Sequence, residues 1–397
     1  MTIKPFAAVR PVREECASVA AVPYDVVSTE EAYALAKDNK KSFLHVSRPE
    51  IDLPKGTDCS SPEAYAQAKK ALDGLMREGV LKREEKPMFY AYRQKMGDHS
   101  QTGIVATFDT KDYLAGILKQ HEKTRKDKED DRTRHIEVLQ AHTGPAFLTY
   151  RDDAAIDRIV EEACAKEPEY DFVADDGIRH TVWLVASSGE SAATELEELF
   201  AKIPVAYIAD GHHRSAAASR FARDRGFEGE SRYFMAVIFP ASQLKILPYN
   251  RVVADLNGLS DYEFMSKISE NFTIGEKGER NCRMYFRGKW IDLSWSLPQD
   301  ADVVSKLDVS YLQDKLLAPV LGIGDPRTDR RIQFVGGIRG DKALSDSVDS
   351  GESAVAFAME SVTVEEMMDI ADAGAIMPPK STWFEPKLRS GLFVHTV

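Results

Sequence analysis

"IPVAYIADGHHRSAAASRFARDRG", residues 203–226, holds the change of period on which the fold turns. Ile203 to Ile208 is short, apolar and rich in branched residues, the pattern of a buried strand, and the residues from Ser215 onward follow a helical pattern. Asp210-Gly211-His212-His213-Arg214 lies between them. Open α/β folds place ligands at such junctions, because N–H groups at a helix start point toward anions. Gly211 lets the backbone approach a phosphate, and Asp210 suits a Mg²⁺ ion or the orientation of a nucleophile. His212, His213 and Arg214 suit phosphoryl oxygens. A capped turn would account for Asp before Gly and for a buried His. Four capable side chains at one junction exceed what a turn needs.

Outward from the junction, strands and helices mix along the whole chain, which gives an α/β or α+β class. Ser28 with Glu31 three residues on forms a capping box, and Ser61-Pro62 opens a second helix that ends near Gly79. "MFYAYRQKMGDHSQTGIVATFD" reads as a hairpin turning near Gly97-Asp98, and "CRMYFRGKWIDLSW" as another turning at Arg287-Gly288-Lys289. Residues 119–150 hold a charge-dense segment, a helix at Arg132 to Gln140 and a strand at Ala146 to Tyr150. A helix near 153–165, the strand "TVWLVA" and the helix "SAATELEELFAK" lead into the junction, and "RYFMAVIFP" is a buried strand beyond it. The tail alternates the helix "TVEEMMDIADAG", the loop "MPPKSTWFEPKLRSG" and the strand "LFVHTV".

The 397 residues carry a formal net charge of −12, with 43% apolar and 29% charged residues, and the sequence pI is about 5.4. That is a globular composition and argues against a nucleic-acid-binding surface. Cys16, Cys59, Cys164 and Cys282 form no CxxC pair, which fits a reducing cytoplasm and offers no zinc site. The N-terminus lacks a signal core, and no apolar run reaches membrane-spanning length. Neither GxxxxGK[ST] nor GxGxxG occurs.

Two further constellations stand out. His121-Glu122-Lys123-Thr124 places a carboxylate beside a His and a Lys, the setting of a general base, although "KTRKDKEDDRTR" downstream reads as a solvated charge run. In the tail loop, Lys380-Ser381-Thr382 and Lys387-x-Arg389 set cations and hydroxyls beside Pro378, Pro379 and Pro386. A stiff cationic loop suits anion binding, and Lys380, Ser381 and Thr382 are expected near Asp210. Pro23-Tyr24-Asp25 and Asn250-Arg251 read as structural.

"PYDVVSTEEA", "GIVATFD", "KQHEKTRKDKEDDRTRHIEVLQAHTGPAFLTY", "ADGHHRSAAA", "DVSYLQDKLLAPVLGI" and "DAGAIMPPKSTWFEPKLRSGL" occur in this order. Together they closely resemble the bacterial family called domain of unknown function 1015, over essentially the full chain. More distantly, the strand followed by Asp-Gly-His-x-Arg resembles the nucleotide-handling motif of the ParB/sulfiredoxin fold, within it most of all the free-serine kinases. The resemblance implies a mixed α+β chain, 1–397, as one integrated unit. Its parts are an N-terminal region 1–110, a ParB/sulfiredoxin-like core 111–240 and a C-terminal region 241–397. It implies phosphorylation of a small hydroxylated metabolite, free L-serine first, by ATP or ADP with Mg²⁺. Glu122, Asp210 and His212 are then catalytic, with Asp210 on the metal. Gly211, His213, Arg214, His121, Lys123, Thr124, Lys380, Ser381 and Thr382 are nucleotide or phosphate contacts. A ParB-like nucleotide-binding regulator would call for a basic DNA-binding region, which this acidic chain lacks. A metal-dependent hydrolase would use Asp210, His212 and His213. Sulfiredoxin chemistry lacks its cysteine, since none lies near 208–214.

Overall fold

The computed structural model describes residues 1–297 and 299–397. The chain falls into two compact units, Met1–Leu244 with Pro386–Val397, and Lys245–Glu385. Both are mixed or antiparallel sheets with helices packed on them, a mixed α/β architecture.

In chain order, the first unit contributes β1 (Ile3–Lys4), α1 (Thr29–Ala36), α2 (Pro62–Arg77), β2 (Met88–Met96), β3 (His99–Asp109) and β4 (Leu118–Lys119). Then come α3 (Lys126–Leu139), β5 (Ala146–Tyr150), α4 (Ala154–Cys164), β6 (Tyr170–Val173) and β7 (Arg179–Ser187). The series closes with α5 (Ser191–Lys202), β8 (Ala206–Asp210), α6 (His212–Asp224) and β9 (Tyr233–Pro240). Nine strands form one sheet in the order β4-β8-β5-β9-β3-β2-β7-β6, with β1 on β3. β4 runs parallel to β8 and β5 parallel to β9, while the other pairs are antiparallel.

Local chemistry sets most of these elements. Ser28 and Glu31 make the reciprocal capping box of α1, and Ser61 caps α2 with Pro62 in its first turn. β2 and β3 pair Met96 with His99, leaving Gly97-Asp98 as a two-residue turn with Gly97 at φ 59°. The apolar faces of α4, α5 and α6 bury Ile156, Leu196 and Phe221 in one core with the sheet residues Phe89, Leu148 and Ile208. A second core gathers Val9, Phe43, Leu72 and Leu139 with Val394 from the tail. Among the described residues no helix is long and apolar enough to cross a membrane.

Three boundaries differ from expectation. The strand at the junction runs over Ala206–Asp210 rather than Ile203 to Ile208, because Ile203 closes α5 as its C-terminal cap. The helix begins at His212, not Ser215, so both histidines and Arg214 lie in its first turn. The charge run is itself helix, beginning at Lys126 rather than Arg132. Lys126 meets Asp130 at 2.8 Å with i,i+4 spacing, and its Lys, Glu and Arg residues are good helix formers.

In the second unit β10 (Tyr249–Val253), β11 (Thr273–Ile274), β12 (Arg280–Phe286), β13 (Lys289–Trp295), β14 (Ile332–Gly336) and β15 (Val355–Met359) form a sheet in the order β11-β13-β12-β15-β10-β14. All the pairings of neighbouring strands in this sheet are antiparallel. The β12–β13 turn has Arg287 and Gly288 both at positive φ, the two-residue geometry that suits strand twist. The tail region expected as loop contains a short strand, Trp383–Glu385, paired with Lys245–Leu247. In "LFVHTV", Val394 bridges to Val9 and His395–Thr396 pair with Ala141–His142.

Candidate functional site

The junction depends on one glycine. Gly211 is the N-terminal cap of α6 at φ 91°, a cap position that carries no side chain. A methyl group there would come within 3.0 Å of Arg214 Nε and 3.2 Å of the Ala146 Cα. Positive φ and close packing both require glycine. A glycine at the cap leaves that position without a capping side chain at the helix start, where backbone N–H groups favour anions. Small residues behind it, Ser215 to Ser219, are all buried and let α6 sit close against its neighbours.

Asp210, at the end of β8, accepts from the Gly211 N–H at 2.7 Å through Oδ1. Its Oδ2 accepts from Lys387 Nζ at 3.0 Å, and Arg214 Nη2 lies 3.6 Å from Oδ1. Burial pushes this carboxyl up, but Lys387 and Arg214 outweigh it and hold it well below the usual carboxylate range. Arg214 also donates through Nη1 to the Pro145 carbonyl. Both Asp210 oxygens are therefore turned to donors, the arrangement of an anchor for two cations rather than of an open metal ligand. Among the described residues no group of three or more His, Cys, Asp or Glu side chains has the spacing to hold a metal ion. In this arrangement the Gly211 N–H and Lys387 occupy the Asp210 oxygens on which Mg²⁺ is expected from sequence.

His121 and His212 are buried, with ring centroids 4.6 Å apart in an edge-to-face contact. Burial, opposed by Asp210, brings His121 down to about 4. Burial and then His121 carry His212 well below its ordinary value. Both rings are neutral at pH 7. His212 Nδ1 lies 4.0 Å from Glu122 Oε2, and the Glu122 side chain is 47% exposed. A neutral imidazole thus stands beside a carboxylate that reaches solvent. His213 Nε2 accepts from the Arg125 N–H at 3.0 Å, joining α6 to the loop that carries Glu122. On that loop Lys123 is exposed and Thr124 half-buried.

Glu122, His121, Asp210, Gly211, His212, His213 and Arg214 thus share the first unit around one junction. Lys380, Ser381 and Thr382 belong to the second unit. There Lys380 lies over the Tyr249 ring and accepts from Arg251 through its carbonyl, while Ser381 is buried and donates to the Pro378 carbonyl at 2.7 Å. The residue that the tail brings to Asp210 is Lys387. The sequence signal for it was present, a Lys in a proline-stiffened cationic loop, but nothing local distinguishes it from Lys380.

Tyr24 and Asp25, read from sequence as structural or lining a pocket, lie beside this junction. The Arg132 guanidinium lies 4.1 Å from the Tyr24 ring centroid, and burial pushes the phenol up to about 12. Asp25 favours the charged forms of both His213 and Arg214. The charge run is exposed from Arg125 to Lys128, as expected, but turns inward at Asp131 and Arg132. Asp131 is largely buried, accepts from Tyr65 Oη at 2.7 Å and pairs with Arg132 at 2.6 Å, while Asp130 pairs with Arg220 of α6.

No curated protein matches the sequence. Among solved structures the chain is similar to a free serine kinase in complex with AMP, at 14% identity and TM-score 0.37, covering 73% of this chain and 91% of that one. It is also similar to C-terminally truncated SbnI from Staphylococcus aureus, at 11% identity and TM-score 0.39, covering 74% and 87%. A conserved hypothetical protein from Pyrococcus furiosus follows at 14% and 0.36, covering 74% and 95%. The family described as "Protein of unknown function (DUF1015)" matches residues 3–310, and the chain belongs to that family.

Proposed function

We propose that this protein is a nucleotide-dependent kinase for a small hydroxylated metabolite, with free L-serine the first acceptor to test. The observation that carries the reading is the α6 N-terminus. It is a helix start opened by Gly211, beside the Asp210–Lys387 pair and within 4.0 Å, through His212, of the solvent-reaching Glu122. Phosphoryl transfer asks mainly for positioning and charge neutralisation, with a base near the acceptor hydroxyl. The helix N–H groups and Lys387 meet the phosphates, and Asp210 and Arg214 hold that frame. Glu122 takes the acceptor proton as the new P–O bond forms and the bond to the departing nucleoside phosphate breaks. Neutral His212 stands 4.0 Å from Glu122 and does not neutralise it. Mg²⁺ would come with the nucleotide phosphates and screen their charge. Partners are then a nucleotide and a small metabolite in the reducing cytoplasm.

The metal-dependent hydrolase has less support, since His212 packs on His121 and His213 is engaged by Arg125. The deciding experiment incubates the protein with Mg²⁺, ATP or ADP and a panel of amino acids and polyols, and reads phosphorylated products by mass spectrometry. A nucleotide-dependent phosphoester is expected. Folded protein that yields none with any acceptor would remove the proposal.

A further inference from the structure

Arg214 also borders a second feature, a small polar cavity of about 40 Å³ inside the first unit. Tyr24, Ser47, Arg132, His135 and His142 share its wall with Arg214. Both guanidinium side chains are largely buried. Ser47 Oγ, His135 Nε2, His142 Nε2 and Arg214 Nε are buried and have no hydrogen-bond partner among the described residues.

Four orphaned polar atoms on the wall of one cavity are unusual, since each unsatisfied buried group costs about 1–3 kcal/mol. Ordered water would satisfy some of them, and the volume suits roughly three waters at 10–15 Å³ each. Asp131 engages Arg132, and Asp210 and the Pro145 carbonyl engage Arg214, which leaves Arg214 Nε and Ser47 Oγ as donors to be met. A carboxylate accepts from both of these donors at once. His135 and His142 are kept neutral by burial, so each leaves a ring nitrogen able to meet a hydroxyl or ammonium group on the same ligand. The size admits a small acidic end group and excludes a nucleoside.

We infer that this cavity seats the carboxylate of the acceptor, a small hydroxy or amino acid. The inference rests on the kinase reading, and it places acceptor recognition next to Asp210 through the shared Arg214. The experiment is calorimetric titration of the full-length protein with L-serine and glycolate, which carry the carboxylate. Ethanolamine and ethylene glycol, which lack it, and inorganic phosphate form the other arms. The His135 and His142 ring resonances are followed in parallel.

Serine and glycolate are expected to bind and shift both rings, with ethanolamine and ethylene glycol silent. Arg214→Lys, which keeps the charge but loses Nε, should weaken binding at least 10-fold, and Ser47→Ala should weaken it less. Equal binding of ethanolamine, binding of phosphate alone, no binding, or serine affinity unchanged in both folded variants would overturn the inference. The two readings fail separately. Serine and ethanolamine phosphorylated with equal efficiency would remove the carboxylate pocket and leave the kinase. Carboxylate binding at the cavity without any phosphorylation would remove the kinase and leave the pocket.

Discussion

At Asp210 burial opposes ionisation, while Lys387 and Arg214 more than compensate for it. Replacing Lys387 by Met removes one of those cations and a proposed phosphate contact. Nucleotide affinity should fall about 10-fold, roughly 1.4 kcal/mol, the scale of a charge-assisted hydrogen bond. Exposed Lys70→Met is the control, and fluorescence titration with a nucleotide analogue reads the difference. Glu122 has a different signature. Glu122→Gln keeps shape and hydrogen bonding but cannot take the acceptor proton, so kcat should drop roughly 10²–10⁴-fold with nucleotide affinity unchanged. Glu137→Gln, on the charge-dense helix, should leave turnover near wild type. Equal turnover in the two variants would reduce Glu122 to part of a solvated surface.

At the scale of elements, α6 and α3 make separable predictions. Gly211→Ala forces a side chain into positive φ, costing about 1–2 kcal/mol, and also pushes on Arg214. Gly97→Ala has positive φ but open space around it. Urea unfolding should therefore show the larger loss at Gly211, with nucleotide binding reduced only there. On α3, Asp131 serves the helix from inside, through Tyr65 and Arg132. Asp131→Asn should cost about 1–3 kcal/mol. Exposed Asp127→Asn, four residues earlier on the same helix, should lie within about 0.5 kcal/mol of wild type. Equal midpoints for the two would mean that the buried pair contributes nothing.

The whole molecule carries a cluster of buried neutral histidines, with a consequence for its acid stability. Burial, partly offset by Asp210 at His121, lowers that ring to about 4, and burial lowers His135, His142 and His180 to about 3. Their folded values lie below the unfolded value near 6.5, so between these limits the unfolded chain binds more protons. Stability is fully present above about pH 6.5 and is lost as pH falls toward 4 and 3. Each histidine steepens the fall by up to about 1.4 kcal/mol per pH unit. Urea midpoints should decline continuously from pH 7 to pH 5, where surface carboxylates remain ionised. A flat profile over that range would contradict the buried neutral state.

Much of the fold was legible because it is written in neighbouring residues. Capping boxes, Pro62, the Gly97-Asp98 turn and the apolar alternation of the strands act over a few positions, and those elements form where expected. The same holds for Asp210-Gly211-His212, since a strand-to-helix turn with glycine at positive φ is a local event. Where Ile203 and Ser215 were misassigned, a helix cap and a helix start moved a boundary by a few residues. Tertiary structure alone decided the rest. It chose Lys387 as the partner of Asp210 at a separation of 177 residues and gave Lys380 to the second unit. It also turned a charge run inward at Asp131 and Arg132, and closed a cavity between Tyr24, Ser47 and Arg214. Charge acts through space, and a residue's sequence context does not record which cation the sheet will carry to which carboxylate.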